Sequence, residues 1–499
     1  MISYKKKYEK YHNKIKKIGY ELQHSQKGGL IKIENDYDLL YKFNEIIDIP
    51  IIDKTKINNL EKISRGGNGC VFKTSYENDG NTFRLIIKKS FTSSSDNNYY
   101  EFLVGMCINK IKQYFPNFVF TFGYYTSNQI RCDTDTHIFD IDTSNIINFN
   151  NDMINLLNKY NIRDGCNNNH ISGLILQNVP NLVNINYILN KPHSSVANIN
   201  REMYNILFQV YTTLHFTSEY YTHYDLSINN ILYSLVPNNK FMKITYQMPN
   251  GTNIILYTQY IPIIIDYGRS HINFDKIIPS FSSFNIYETM CKTRCNKYFD
   301  IIGRCYSEYG FISKKINDIY MDKCDKYYIN PIISNKSHDL LYINQIMEII
   351  QNEKPTFRIL SEFDKYSNNI RTCTLVEKHA FSKYNTINVG SPSLESSYTT
   401  KTIEEKSLIK KLPSIESIND KRFCKNQPLD ENRERRKIAV INNVTDCYNW
   451  LLDEYHMYYN DSKPSDDLIY GELKIFPQIN LSEQFSDERK KFQFIPSEV

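Results

Sequence analysis

An acidic and an amide side chain, Asp225 and Asn230, stand five positions apart in the segment HYDLSINNILY. A carboxylate can accept or orient the proton of a hydroxyl group, and an amide oxygen is a ligand that magnesium accepts. An ordinary polar loop can contain both residues by chance. The helical pattern of residues 201–220 before them and the strand-like run that begins at Ile231 favour a loop that carries chemistry.

A second carboxylate, Asp266, directly follows the aliphatic run YIPIII and precedes Tyr267 and Gly268. At the end of a buried strand, a carboxylate is well placed to hold magnesium that bridges two phosphates, and the glycine lets the chain turn away. The alternative is an ordinary turn at the end of a strand. Because Asp225 and Asn230 already precede it in the chain, we interpret Asp266 as a magnesium ligand.

A glycine-rich turn in ISRGGNGCVFKTSY places Gly66, Gly67 and Gly69 just before Val71. Glycine lets backbone amides approach phosphate oxygens without interference from Cβ atoms. By itself the turn is a weak signal, because most glycine-rich turns are ordinary hairpins. The next strand-like run, FRLIIKK, carries Lys88, a compact cation that can hold phosphates, and the two signals reinforce each other.

A lysine in this role needs an acidic partner, and the nearest candidate is Glu101 in the helical stretch YYEFLVGMCINKI. The alternative is an exposed helical carboxylate. Short strand-like runs broken by glycine begin near Ile63, and longer helical periodicity begins near Asn181. This order predicts an α+β fold with an N-terminal antiparallel sheet lobe, a C-terminal helical lobe and insertions.

Changes in composition divide the chain into five segments. The predicted segments are a basic helical extension (1–50), the sheet lobe with a polar insertion at 127–170 (51–180), the helical lobe (181–373), a polar segment expected to be disordered (374–432) and an extension that packs on the helical lobe (433–499). Within the helical lobe, residues 237–258 are predicted to form an extended hairpin. For the last segment, a separate docking element is an alternative to core packing.

Composition excludes several classes of protein. The 60 basic and 55 acidic residues leave a net charge of +5 on 499 residues, so binding of nucleic acid is not expected. No run approaches the roughly 18 apolar residues of a membrane-spanning helix, so no transmembrane segment is expected. Eleven cysteines at irregular spacings, without an apolar leader, are typical of reduced thiols in the cytoplasm.

Together, these motifs resemble those of the eukaryotic-type protein kinase superfamily over residues 63–350. SRGGNGCV is similar to the loop G-x-G-x-x-G-x-V, with Ser64 in place of the first glycine. LIIK is similar to V-A-I-K, HYDLSINN to H-R-D-L-x-x-x-N, and DYG to D-F-G. Composition and insertions also resemble serine/threonine-protein kinases of large nucleocytoplasmic DNA viruses of the iridovirus and mimivirus type, which implies the host cytoplasm or the virion as the location.

The resemblance implies a kinase-like fold that uses ATP and Mg²⁺ to phosphorylate serine or threonine hydroxyls of a protein substrate. It makes Asp339, in SHDLLYINQI, the residue that supports the catalytic loop. The implied catalytic residues are Asp225, Lys88 and Asn230, and the implied metal ligands are Asn230 and Asp266. The implied nucleotide-binding residues are Ser64, Gly66, Gly67, Gly69, Val71, Lys88, Glu101, Gln177 and Val179.

The chain departs from the family's pattern at three places. Tyr224 stands where most regulated kinases carry the arginine that pairs with a phosphorylated activation loop, which favours constitutive activity. Ser227 stands where serine/threonine kinases usually have a lysine that neutralises the γ-phosphate. Residues 270–335 contain no clear A-P-E sequence, so the peptide-binding platform and the substrate are not defined by the motifs.

Two other functions fit the same motifs. A pseudokinase scaffold would bind partners without phosphoryl transfer, and Ser64 and Ser227 favour it weakly. A small-molecule kinase of the aminoglycoside or choline type shares a similar catalytic loop. Four cysteines could close a zinc site, but their spacing favours free thiols; they are Cys291, Cys295, Cys305 and Cys324.

Overall fold

The computed structural model describes about two fifths of the chain. The described residues are Leu40, 57–65, 69–78, 81–90, 97–127, 147–148, 171–191, 194–275, 282–283, several positions between 334 and 349, 443–456, 463–479 and 492–497. Several sequence predictions lie outside these residues: the basic extension at 1–50 except Leu40, the glycines Gly66 and Gly67, the four-cysteine group, and the polar segment 374–432.

An antiparallel sheet forms the first part of the fold, and its strand order is β1-β2-β3-β6-β4-β5. The alternation of buried Leu85 and Ile87 with more exposed neighbours is typical of a strand with one face on the core. The strands are β1 (Ile57–Arg65), β2 (Gly69–Asn78), β3 (Asn81–Ser90), β4 (Thr121–Ser127), β5 (Ile147–Asn148) and β6 (Ile171–Gln177).

One long helix, α1 (Asn97–Lys112), packs against strands β4 and β6 of this sheet. The side chain of Asn109 binds both backbone groups of Thr121, donating to its carbonyl over 2.7 Å and accepting from its N–H over 3.0 Å. Near the end of the helix, the buried Lys112 ammonium donates to the carbonyl of Phe118 over 2.6 Å. These bonds fix the helix relative to the sheet, in agreement with the predicted sheet lobe.

Helix α3 (Val196–Thr217) is the centre of the second part, and α2 (Ile185–Leu189) precedes it. Both helices begin at residues whose side chains accept a backbone N–H, Asn184 for α2 and Ser195 for α3. Short strands flank the loop after α3: β7 (Leu182–Val183), β8 (Tyr221–Thr222), β9 (Ile231–Leu235), β12 (Tyr260–Ile264) and β13 (His271–Ile272). They form the sheets β12-β9-β7 and β13-β8.

The predicted hairpin at residues 237–258 is confirmed, because β10 (Phe241–Gln247) pairs antiparallel with β11 (Asn253–Thr258). The sequence does not predict the other strands that join this hairpin. Strand β14 (Ile469–Ile475) pairs parallel with β10, and β15 (Gln493–Pro496) pairs with β14, so a four-stranded sheet forms. The second part therefore contains more sheet than the predicted helical lobe.

Residues near the C-terminus also pack on α3 through helix α4 (Val444–Asp453). The Tyr204 hydroxyl donates to the carbonyl of Leu451 over 2.7 Å, and the His215 ring stacks on Tyr448 at 4.4 Å. Within the polar insertion 127–170, the described residues 147–148 form strand β5 at the edge of the first sheet, where the sequence predicts a loop. No helix in the described part of the chain is long and apolar enough to span a membrane.

Candidate active site

The loop between β8 and β9 carries Asp225 and Asn230, and the side chain of Asp339 supports the backbone of this loop. The Asp339 carboxylate accepts the backbone N–H groups of His223 over 2.8 Å and Tyr224 over 2.9 Å. Tyr224 has a φ of 63°, a left-handed conformation that a non-glycine residue adopts only when its surroundings hold it. The contact that the resemblance implies for Asp339 is therefore present, although these residues lie more than a hundred positions apart in sequence.

Asn230 is oriented by the backbone of Asp225. Its Nδ2 donates to the backbone carbonyl of Asp225 over 2.7 Å, and the backbone carbonyl of Asn230 accepts the N–H of Ile265 over 3.0 Å. Because the amide nitrogen is engaged in this way, the Oδ1 atom is directed away from that contact and receives no hydrogen bond from a described residue. It can therefore act as a metal ligand.

His223 joins the loop that carries Asp225 and Asn230 to the segment that contains Asp266. Its Nε2 lies 2.8 Å from the carbonyl of Ile265, and its Nδ1 lies 3.2 Å from the backbone nitrogen of Asp225. A carbonyl can only accept and a backbone N–H can only donate, so the pattern assigns the proton of a neutral ring to Nε2. The imidazole therefore sets the distance between the loops that carry Asp225 and Asp266.

Lys88 brings the two parts of the fold together. Its ammonium lies 2.7 Å from Glu101 Oε2 on α1 and 2.8 Å from Asp266 Oδ1. The side chain of Glu101 is only 2% exposed, whereas that of Asp266 keeps 40% exposure. The acidic partner predicted for Lys88 is thus in contact with it, and Asp266 retains an open edge for a ligand.

The electrostatics of this group follow from burial and from the mutual contacts. Burial alone would lower the pKa of Lys88, but Asp266 and Glu101 raise it above its usual value, so the ammonium is charged. Burial raises the pKa of Glu101 to about 7, although Lys88 opposes this. Burial would also raise the pKa of Asp266, but Lys88 holds it below its usual value, so this carboxylate is ionised.

Tyr267 anchors the segment after Asp266 in the core. Its hydroxyl lies 3.0 Å from the carbonyls of both Val119 and Ile264, and its backbone also bonds to Glu101. Asp266 itself has a φ of 64°, which turns the chain sharply at this point. The strained turn and the buried tyrosine together direct the Asp266 carboxylate towards Lys88.

A row of paired residues crosses the first sheet and includes Lys88. Ser64 pairs with Val71, Val71 with Lys88, and Lys88 with Leu174. Because residues directly opposite each other point to the same face of a sheet, Ser64 and Val71 share the face of Lys88. Two predicted nucleotide-binding residues are therefore close to the lysine in the sheet.

The other predicted nucleotide-binding residues have different surroundings. Gly69 is buried at the start of β2. The Gln177 side chain accepts the N–H of Phe120 over 3.2 Å, and the Gln177 backbone N–H donates to the Phe120 carbonyl over 2.9 Å. Its buried Nε2 has no hydrogen-bond partner among the described residues. Val179, two residues after the end of β6, is buried. Their contact with a nucleotide stays a prediction.

The oxygen donors of Asn230 and Asp266 fit a magnesium ion. Hard cations of this kind prefer amide and carboxylate oxygens, and magnesium usually keeps only one or two protein carboxylates. In the described part of the chain, no group of three or more His, Cys, Asp and Glu side chains could hold a metal. A magnesium ion at this place would therefore need phosphate or water oxygens to complete its ligands.

Sequence reasoning missed Arg269, which directly follows DYG. Its Nη1 lies 3.5 Å from Asp225 Oδ2. Burial raises the pKa of Asp225 above its usual value, and Arg269 is the strongest opposing charge. The signal that could have identified Arg269 was its place three residues after Asp266, because a residue close to one loop of a site can face the other loop.

Comparisons with known proteins give little further information. No protein-family model matches the chain, and no curated protein matches it. Among solved structures, the chain is similar to the BubR1 kinase domain, with 14% identity, 43% of this chain and 47% of that chain covered, and a TM-score of 0.25.

The kinase domain of PF14_0431 is similar over 44% of this chain and 53% of its own, with 15% identity and the same TM-score. The chain thus spans about half the length of these kinase domains. Because a TM-score this low does not establish a common fold, any function must be argued from the site itself.

Proposed function

We propose that this protein is an ATP- and magnesium-dependent protein kinase that transfers the γ-phosphoryl group to serine or threonine hydroxyls. The observation that carries the proposal is the double ion pair of Lys88 with Glu101 and Asp266. It joins a strand, a helix and a loop around one cation, and His223 connects the same loop to Asp225. This arrangement has the positive, acidic and metal-binding groups that phosphoryl transfer requires.

Each side chain has a separate part in this proposal. Lys88 binds phosphate oxygens, and Glu101 holds Lys88 in position. Asp225 orients the substrate hydroxyl and accepts its proton, which its raised pKa favours. Asn230 and Asp266 would hold magnesium, whose charge would neutralise phosphate oxygens.

Hydrogen bonds with α1 and with Ser283 hold the segment that follows Arg269. The Tyr100 hydroxyl on α1 bonds to the Ser270 carbonyl and lies 2.8 Å from the Ser283 hydroxyl. Ser283 also accepts the backbone N–H of Ile272 over 2.7 Å. With Tyr224 in place of the usual arginine, these contacts support a kinase that is active without phosphorylation of its activation loop.

The test is transfer from γ-radiolabelled ATP by the purified full chain. Generic protein acceptors, an aminoglycoside and choline are offered together with magnesium, and labelled proteins are hydrolysed to identify the phosphoamino acid. Phosphoserine or phosphothreonine that disappears on chelation of magnesium and in Asp266→Ala supports the proposal. Lys243→Met is the control, because Lys243 pairs with Glu472 at 3.2 Å in the four-stranded sheet, away from the site.

The other outcomes decide against the proposal in distinct ways. Nucleotide binding without transfer to any acceptor indicates a scaffold. Label only on the small molecules indicates a small-molecule kinase, and label only on tyrosine overturns the serine/threonine assignment.

A further inference from the structure

Arg269 lies beside Asp225 in a loose ion pair. The distance of 3.5 Å between Arg269 Nη1 and Asp225 Oδ2 is longer than a hydrogen bond of about 2.7–3.2 Å. The two side chains are 26% and 29% exposed, so neither is closed off from a ligand. Within the described residues, the guanidinium donates no side-chain hydrogen bond. Most of its five donors are therefore available to an anion.

The backbone of Arg269 is fixed on both sides. It ends a short 3₁₀ helix, Tyr267–Arg269, whose first residue is anchored by its buried hydroxyl. On the other side, the Ser270 hydroxyl lies 3.2 Å from the carbonyl of His223, and the Ser270 N–H donates to the Tyr267 carbonyl over 3.0 Å. Only the side chain of Arg269 can move easily, and its guanidinium lies beside the Asp225 carboxylate.

The distribution of charge leaves one place where a cation is needed. The Lys88 ammonium is already engaged by Glu101 and Asp266. In the catalytic loop, Ser227 is neutral where the family resemblance implies a lysine. Transfer of a phosphoryl group builds up charge on its oxygens, which a positioned cation stabilises. Arg269 is the described cation that touches Asp225, the residue that orients the attacking hydroxyl.

We propose that Arg269 contacts the γ-phosphoryl group of ATP and supplies the positive charge that Ser227 lacks; this inference rests on the proposed kinase function. In the transfer, the bond between the γ-phosphorus and the β,γ-bridging oxygen breaks, and its electron pair leaves with ADP. The substrate hydroxyl oxygen forms the new bond to phosphorus, and its proton passes to Asp225. Arg269 forms no covalent bond, and releases Asp225 as it turns to the phosphoryl oxygens.

The first test measures binding of ATP and ADP, each with magnesium, by isothermal titration calorimetry. Arg269→Gln should lower the affinity for ATP by about tenfold and leave the affinity for ADP within about twofold, because only ATP carries the γ-phosphate. Lys243→Gln is the matched control, because Lys243 is a similarly exposed cation in an ion pair outside the site. Equal losses of ATP and ADP affinity in Arg269→Gln overturn the proposal.

The second test measures transfer. Arg269→Gln should lower kcat by about 10²-fold, the usual effect of removing one stabilising group, and Arg269→Lys should lose less. The double variant Ser227→Lys with Arg269→Gln should recover at least about tenfold of the loss, because the lysine restores the charge from the opposite loop. A structural ion pair would not be rescued in this way, so failure of the rescue contradicts the proposal.

The two tests separate this inference from the proposed function. If the wild-type chain transfers nothing, the kinase proposal fails, and the ATP-against-ADP difference alone decides whether Arg269 contacts the γ-phosphate. If the wild type transfers and Arg269→Gln has the same kcat, the kinase proposal stands and the inference is wrong. Circular dichroism of each variant establishes that it is folded, and Arg269→Lys provides the comparison if Arg269→Gln is not.

Discussion

At the scale of single residues, the site places three carboxylates around two cations. Lys88 holds Glu101 and Asp266, and Arg269 lies beside Asp225. Burial raises the pKa values of Glu101 and Asp225, whereas Lys88 holds the pKa of Asp266 below its usual value. Asp266 stays ionised, which its proposed role as a metal ligand requires, and the raised pKa of Asp225 agrees with its proposed role as a general base.

Lys88→Met should abolish transfer while the protein stays folded. The variant removes the cation between two carboxylates, but the raised pKa of Glu101 lets this group take up a proton and become neutral. ATP affinity should fall by about 10- to 100-fold, which corresponds to the loss of about 1.5–3 kcal/mol for a hydrogen bond to a charged group. Calorimetry measures the affinity, and far-ultraviolet circular dichroism the fold. Wild-type turnover in this variant would show that Lys88 has no part in the reaction.

Asp225→Asn should reduce kcat by at least about 10²-fold, because the amide cannot accept the hydroxyl proton. The substitution preserves shape, and the backbone carbonyl that orients Asn230 is unchanged. Steady-state kinetics at saturating ATP measure the change, and the KM for ATP should stay close to that of the wild type. A loss below about tenfold contradicts the role of Asp225 as the base.

The ATP affinity of the wild type should decrease as the pH falls through about 7. Protonation of Glu101 near this pH removes the negative charge that holds Lys88. Glu101→Gln should bind ATP more weakly at pH 8 and should lack this decrease. Calorimetric titrations across the pH range measure both proteins, and parallel profiles for the two would exclude Glu101 as the titrating group.

The same shift has the opposite effect on the stability of the fold. The pKa of Glu101 is raised from its ordinary value of 4.5 to about 7 in the folded protein, so the folded state binds more protons than the unfolded chain between these values. The contribution of Glu101 to the unfolding free energy therefore falls as the pH rises through this window. Acidification should weaken ATP binding without a loss of stability from this residue.

At the scale of elements, the position of α1 relative to β4 determines where Glu101 lies. Gly105 is one turn after Glu101, and a Cβ atom there would lie 2.2 Å from the Oγ1 of Thr121 and 2.9 Å from its Cβ. Thr121 is held by Asn109 and has a stiff, β-branched side chain, so it cannot move away easily. The close contact of helix and strand therefore requires glycine at this position.

Gly105→Ala should displace α1 and weaken the Lys88 contact. The clash costs about 1–3 kcal/mol, which exceeds the gain of about 1 kcal/mol in helix propensity. The variant should have a lower free energy of unfolding and a lower ATP affinity, measured by urea denaturation and calorimetry. Addition of Thr121→Ala should restore part of both losses. If Gly105→Ala is as stable as the wild type, the helix and strand are not as close as described.

At the scale of the whole molecule, residues near the C-terminus tie together distant parts of the chain. The backbone carbonyl of Leu451 in α4 accepts a hydrogen bond from Tyr204 in α3, and strand β14 pairs with β10 of the hairpin. The N–H of Phe492 also donates to the carbonyl of Gln113, just after α1, over 3.0 Å. These contacts connect the C-terminal residues to the helix that carries Glu101 as well as to the helix before the loop of Asp225 and Asn230.

Leu473→Ala, in β14, should lower the free energy of unfolding by about 2–5 kcal/mol, because Leu473 is fully buried in the common core. Lys474→Ala is the matched control in the same strand, and its effect should stay within about 0.5 kcal/mol. Urea denaturation monitored by circular dichroism measures both variants. A separate early transition for Leu473→Ala, with the remaining signal unchanged, would instead favour an independent docking element.

Short-range features of the fold were predictable from the sequence. The hairpin of β10 and β11, the helix α3, and the strand that delivers Lys88 follow from periodicity and turn residues within about twenty positions. The order of the candidate site residues was equally visible, because each stands in a local motif. The roles assigned to them stay predictions until transfer is measured.

Long-range contacts were decided only by the tertiary structure. Lys88 and Asp266 lie 178 positions apart, and β10 and β14 lie more than two hundred positions apart, so no local pattern specifies that they meet. The Arg269 contact with Asp225 and the choice of β14 as a parallel partner depend on how distant surfaces fit together. Residue types determine which chemical groups are present, and local periodicity determines which helices and strands form. Which of them come into contact is determined by the packing of elements that lie far apart in sequence.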